Sequence, residues 1–329
     1  MKVAYVPRYG PPDVVELRDV PMPLPAAGQV RIRVLATTVS TGDGRMRSGV
    51  LPRGFGALRG LALGFKGPRK AVLGTDAAGV VDALGEGVTR FKVGDPVVAF
   101  PGTALGAHAE FLVMPADGRL VRKPANLTFE EAVSLPFGAM TALDFFRRGG
   151  VSAGERVLVN GASGAVGSAA VQLAKHLGTH VTAVCSGANT PLVRSLGADA
   201  VIDYTTTDFA HGDARFDVVI DTVGNAPYAR VKSVLAQRGR LLAVLGDLPA
   251  LLSAPFVGGS QKHRVVAGPA AEKVEDLDRV AELGAKGALA PVIDRRLPFE
   301  RLVEAHRIVD SGRKKGSVVV TLDPRAAAR

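Results

Sequence analysis

The chain has 329 residues, 47% of them hydrophobic and 22% charged, which excludes a disordered polypeptide and fits about two domains. Its 41 Lys and Arg against 31 Asp and Glu give a formal charge of +10, and its single cysteine, Cys185, excludes an internal disulfide or a cysteine-based zinc cage. The N-terminus lacks the apolar run of a signal peptide and no stretch approaches the ~18 apolar residues of a membrane span, so the expectation is a cytoplasmic protein with no membrane partner.

The first 124 residues read as β-rich. Val30 to Val34 alternates, Ala78 to Leu84 and Pro96 to Phe100 are short runs rich in Val, and glycine-containing turns separate them, which predicts a compact barrel or sandwich. Gly49 to Val72 is a long basic loop with six glycines, either a flap over a site or a surface insertion. From about residue 125 the pattern changes to strands alternating with helices. Strands are predicted at Arg156–Asn160, His180–Cys185, Ala200–Tyr204, Phe216–Asp221, Arg240–Leu245 and Arg264–Ala267. Helices are predicted at Ser168–Leu177, Thr190–Leu196 and Pro227–Ala236. This is the signature of an α/β fold with a doubly wound parallel sheet. Two amphipathic helices, Val274–Lys286 and Phe299–Ser311, and a last strand, Ser317–Leu322, complete the chain.

Between the first strand and helix of the α/β region lies Asn160-Gly161-Ala162-Ser163-Gly164-Ala165-Val166-Gly167. Gly164 lets the backbone approach a pyrophosphate, Gly167 lets the helix pack on the strand, and the helix N-terminus attracts the anion. Ala162 replaces the first glycine of the usual pattern, so it is the strand–turn–helix setting that gives the turn its meaning. A carboxylate about 20 residues on would bond the ribose 2′-hydroxyl of NAD. Between Val181 and Leu196 there is none, whereas Ser186, Asn189 and Tyr204 offer hydroxyl and amide groups, so NADPH is favoured over NADH.

Basic residues cluster only briefly, at Arg53 to Lys70 and Arg313-Lys314-Lys315, and aromatics are 5% with no Trp. That composition supplies no stacking platform, so nucleic acid is not the expected partner, whereas a basic rim around an anionic cofactor fits.

Gly161–Gly167 after Val-Leu-Val-Asn, with Leu196-Gly-Ala-Asp-Ala-Val-Ile-Asp-Tyr204 downstream, resembles the medium-chain dehydrogenase/reductase superfamily, in its zinc-independent quinone oxidoreductase and enoyl reductase branch. Tyr9 to Val14, Leu73 to Gly79, Thr89 to Asp95, Ala305 to Arg307 and Gly312 to Gly316 extend the likeness over nearly the whole chain. The resemblance implies a GroES-like β-rich catalytic domain over 1–124, completed by 269–329, and a Rossmann NAD(P)-binding domain over 125–268. It also implies a cleft between the two and a homodimer paired through a strand edge near Arg264 to Ala267. Zinc-dependent members use cysteine and a His-Glu pair, and here Ser40, Thr75-Asp76 and Phe137 stand at those positions, so no metal is expected.

What remains is hydride transfer between a nicotinamide and a quinone or activated C=C bond, with the oxyanion held by hydrogen bonds. On the family pattern, Ser40 and Thr141 are candidate catalytic groups, and Arg45 stands where some relatives place a tyrosine proton donor. Val223, Leu245, Gly246 and Lys315 are expected around the nicotinamide. Asp43, Asp76, His306 and Cys185 read as structural residues. Two alternatives stay open: a carbonyl or alcohol oxidoreductase on the same scaffold, and a low-turnover NADPH-binding sensor or structural protein.

Overall fold

The computed structural model describes residues 1–254, 257 and 262–327. Two sheets organise it. In the first, six parallel strands run in the order Ala200–Asp203, His180–Cys185, Arg156–Asn160, Phe216–Asp221, Leu235–Ala243, Arg264–Val266. Numbered along the chain this is 3-2-1-4-5-6, the doubly wound order whose reversal point, beside Arg156–Asn160, opens a crevice at the strand C-termini. The second sheet has seven strands and is antiparallel except at one edge, where Ile293–Pro298 runs parallel to Ser317–Thr321. Ser317–Thr321 lies against Gln29–Val39, so both ends of the chain build one sheet. The arrangement is the expected Rossmann sheet plus a GroES-like β-rich unit.

The sheets are joined by the Phe129–Val133 and Pro136–Gly149 helices, whose buried faces share an apolar cluster with the Ala165–His176 helix, including Phe145, Phe146, Val157 and Leu173. Burying such side chains stabilises by about 1.5–3 kcal/mol each.

Several elements differ from expectation, among them the strand predicted at Arg240–Leu245, which runs Leu235–Ala243, and the last helix, which is Leu302–Asp310 after a short turn Phe299–Arg301. The helix predicted at Pro227–Ala236 shrinks to Tyr228–Val231, because Leu235 already pairs with Phe216 as the first residue of the Leu235–Ala243 strand. Val231, Val234 and Leu235 pack in one cluster with Leu241, so a helix-like spacing is shared between a turn and a strand. The Ala165–His176 helix begins three residues earlier than predicted, with Gly164 as its N-cap, which puts its first turn inside the glycine-rich segment. The basic segment is partly structured, with short helical turns at Gly56–Leu58 and Arg59–Leu63. The segment Pro249 to Gly259 falls partly outside the described residues. No helix among the described residues is long and apolar enough to cross a membrane.

Candidate active site

A cleft of about 1340 Å³ opens between the two sheets at the strand C-termini. One wall comes from the parallel sheet. Gly161 takes φ +79°, in the left-handed region, and a Cβ there would lie 2.5 Å from Val223. A Cβ on Gly167 would lie 2.1 Å from the Gly161 carbonyl, so only glycine lets the helix start this close to the strand. A Cβ on Gly164 would meet nothing nearer than 3.5 Å, so that position leaves room at the helix N-terminus for a phosphate. Asp221 fixes the neighbouring turn by accepting from the N–H groups of Val223, Gly224 and Ala226, and from Asn160 Nδ2 at 2.8 Å.

Around this turn the fold gathers Ser186, Asn189, Tyr204, Val223 and Leu245 with Gly161, Ser163, Gly164, Ala165 and Val166. Asn189 Nδ2 donates to the Ser163 hydroxyl at 3.0 Å, while its Oδ1 is buried and has no hydrogen-bond partner. Arg230, more than 25 residues beyond Tyr204 in the chain, lines the same cleft. It is held by Asp208 at 2.8 Å and lies 4.7 Å over the Phe209 ring; a bond from the Ala210 N–H, then the Arg230 guanidinium, bring the Asp208 pKa down to about 2. Asp203 stands behind the loop, where Thr205 holds its carboxylate and lowers its pKa.

The facing wall comes from the Thr41–Ser48 helix, residues 50–52 and the segment Val309–Lys315. The Gly316 N–H donates to the Ser163 carbonyl at 2.8 Å, tying that segment to the phosphate turn. Lys314 donates to the Gly316 carbonyl at 2.6 Å, and burial lowers its pKa to about 8 against the opposing pull of Asp294. The basic segment reaches across as well: the Leu248 N–H donates to the Arg53 carbonyl at 3.0 Å, so it borders the cleft as a flap does.

Of the candidate catalytic residues, Arg45 lines the cleft, and Ser40 and Thr141 do not. Ser40 is buried as the N-cap of the Thr41–Ser48 helix; its hydroxyl donates to Asp43 at 2.6 Å and accepts from the Asp43 N–H. The Thr141 hydroxyl donates to the Phe137 carbonyl one turn back at 2.7 Å. Gly167 and Gly246 likewise support the wall without lining it, whereas Lys315 does line it. Sequence reasoning missed Thr41, Asp310 and Arg230, which nothing but the folded chain brings here.

The positions that hold zinc in the metal-dependent members do structural work. Asp43 completes the cap and also accepts from the Gly74 N–H at 2.9 Å. Asp76 is fully buried and accepts from the Thr38 and Thr75 hydroxyls at 2.8 and 2.9 Å and from the Phe137 N–H at 3.1 Å. Burial outweighs those bonds and, with Asp43 nearby, raises its pKa to about 7. Among the described residues no group of three or more His, Cys, Asp or Glu could hold a metal ion. His306 is fully buried against His108, and burial drives its pKa well down, so it stays neutral in the core. Cys185 is buried at the end of its strand, where burial raises its pKa and makes it a poor nucleophile.

A glycine-rich turn at the switch point of a doubly wound sheet, facing a cleft closed by a second β-rich unit, defines the architecture of a nicotinamide-dependent oxidoreductase. Comparison with known proteins agrees. Residues 26–125 match the family described as alcohol dehydrogenase GroES-like domain, and residues 196–320 the one described as zinc-binding dehydrogenase. The mitochondrial NAD(P)H oxidoreductase RTN4IP1 of Mus musculus is 35% identical over 324 residues, 89% of this chain and 82% of the relative. The 2-methylene-furan-3-one reductase of Solanum lycopersicum is 34% identical over 325 residues, 95% of this chain and 76% of the relative. The structure of the quinone oxidoreductase from Coxiella burnetii superposes with a TM-score of 0.85 at 28% identity, covering 98% of this chain and 99% of that one. The chain belongs to the medium-chain dehydrogenase/reductase superfamily, in its quinone oxidoreductase and enoyl reductase branch, and is an oxidoreductase.

Proposed function

We propose that the protein reduces a quinone or an activated C=C bond of a small substrate with NADPH, without a metal. The observation that carries this reading is the cleft itself, with a phosphate-binding turn on one wall and, at the family's zinc positions, Ser40, Asp76 and Phe137 committed to capping and packing. A tetrahedral zinc site needs nitrogen or thiolate donors that this set does not contain. The names of the tomato and Coxiella relatives point to the same substrate chemistry.

The room at Gly164 and the first-turn N–H groups of the Ala165–His176 helix fit a dinucleotide phosphate, and the unpartnered Asn189 Oδ1 fits a hydroxyl donor such as the ribose of that dinucleotide. Ser163, Gly164, Ala165 and Val166 would hold the pyrophosphate, Ser186, Asn189, Tyr204 and Arg230 the adenosine end, and Val223, Leu245 and Lys315 the nicotinamide end. The bound cofactor supplies the hydride. Thr41, exposed on the first turn of its helix, lines the cleft, and its hydroxyl would be the chain's own donor to the substrate oxygen as charge develops. Preference for NADPH rests on the absence of a carboxylate at the Ser186 position and on Arg230 nearby. Among the described residues Arg264–Val266 is one edge of the parallel sheet, which supports a homodimer, and the lone buried thiol supports a cytoplasmic setting.

The test is oxidation of NADPH and NADH at 340 nm against a benzoquinone, an enone, an enoyl thioester and an aldehyde, each with and without chelator. Turnover of a quinone or enone with NADPH, indifferent to chelator, is expected. Turnover of the aldehyde alone, or loss of activity on chelation, contradicts the proposal.

A further inference from the structure

The charges that line the cleft do not balance. Arg47, fully buried on the Thr41–Ser48 helix, is held by Asp310 at 2.5 Å and by the Gly10 carbonyl at 2.7 Å. Arg230 has Asp208, Lys314 has the Gly316 carbonyl, and Arg313 and Lys315 are exposed and keep their water. Arg45, two residues before Arg47, is half-buried and its guanidinium has no hydrogen bond or ion pair among the described residues. Burial alone moves its pKa, downward, with no neighbouring anion acting on it. A guanidinium partly stripped of water and left unpaired is unfavourable unless an anion arrives to meet it.

Thr41, Arg45 and Ser48 follow one another at i, i+4 and i+7, so they share the helix face that lines the cleft. That face belongs to the β-rich unit, not to the sheet with the phosphate turn. The cofactor's anionic groups have their own donors at Ser163 to Val166, with Lys314 and Lys315 beside the Gly316–Ser163 contact. Arg45 is therefore left to the other ligand.

We propose that the substrate is an enone or quinone carrying a carboxylate, and that Arg45 binds that carboxylate and sets the specificity. This rests on the reductase reading above. A planar guanidinium meets a carboxylate through two parallel charge-assisted hydrogen bonds, a geometry that neither an ester nor an amide reproduces.

The probes are trans-3-benzoylacrylate, an enone with a carboxylate, and its methyl ester. A hydrogen bond to a charged group contributes about 1.5–3 kcal/mol, so kcat/KM should favour the acid by about 10- to 150-fold. In Arg45→Met the acid-to-ester ratio falls to about one, and in Arg45→Lys part of it returns. Equal rates for acid and ester in the unsubstituted protein overturn the proposal. So does an Arg45→Met variant that slows both probes alike, or one whose NADPH affinity falls as far as its acid preference. If neither probe is reduced, the reductase reading is decided by the panel above and calorimetry decides the anion site by itself, using 3-benzoylpropanoate and its carboxamide with NADP⁺ present. Binding of the acid at least about tenfold tighter, lost in Arg45→Met, upholds the site; equal binding refutes it.

Discussion

Asn189 reaches back 26 residues to donate from Nδ2 to the Ser163 hydroxyl at 3.0 Å, joining the loop after the second strand of the parallel sheet to the phosphate turn after the first. Its Oδ1 is buried without a partner, so one side of the amide braces the turn and the other is left for a ligand. Asn189→Ala removes both. With a net hydrogen bond near 1 kcal/mol, the KM for the nicotinamide cofactor should rise about 3- to 10-fold while kcat changes little. An unchanged KM with a lowered Tm would make Asn189 a purely structural residue.

Gly164 and Gly167 stand three residues apart in one motif but answer to different forces. An added methyl at Gly167 meets the Gly161 carbonyl at 2.1 Å, so Gly167→Ala must push the helix off the strand, with destabilisation of about 1–3 kcal/mol. At Gly164 the nearest atom is 3.5 Å away, so Gly164→Ala should leave Tm nearly unchanged and still cost cofactor affinity, because the methyl occupies the space of the phosphate. Paired thermal melts and NADPH titrations separate the two; equal loss of Tm in both variants would contradict the assignment.

Asp76 makes the stability depend on pH in an unusual direction for a carboxylate. Its pKa in the folded protein is about 7 against an ordinary 3.8, burial being the main cause, so the folded state holds the proton longer than the unfolded one. The stability that this contributes is complete below about pH 4 and is lost as the pH rises to about 7. Asp76→Asn abolishes the titration. The Tm difference between variant and parent should therefore shift in favour of the variant between pH 4 and 7, and a flat difference would show that Asp76 is ionised throughout.

Lys314 affects binding where Asp76 affects stability. With its pKa lowered to about 8 by burial, it loses its charge just above neutrality, beside the turn proposed above to hold the pyrophosphate. Cofactor affinity should weaken as the pH rises through about 8, and Lys314→Met should remove that step from the titration. A step that persists in the variant belongs to another group.

Much of the fold is legible in the chain because its strands are short apolar runs closed by glycine turns; Phe216–Asp221 and His180–Cys185 lie where the pattern puts them. The Pro227–Ala236 segment is not, since pairing of Leu235 with Phe216 is a tertiary contact that overrides local spacing. The glycine-rich turn is legible too, because one continuous motif, Gly161 to Gly167, builds it. The wall that faces it is not. Sequence offers Ser40 and Thr141 as hydroxyls, but whether a hydroxyl faces a ligand depends on what else it bonds, and these two bond Asp43 and the Phe137 carbonyl. Arg230 and Asp310 reach the cleft through folding alone, far from the motif in sequence.

Direct hydride transfer without a metal is tested most sharply with NADPH deuterated at C4 on either face, given to chelator-dialysed protein with an enone and followed by mass spectrometry of the product. Deuterium should enter the product from one face only, at the β-carbon, with zinc far below one equivalent per chain. A product without deuterium, or turnover that returns only when zinc is added back, would contradict the metal-free reductase.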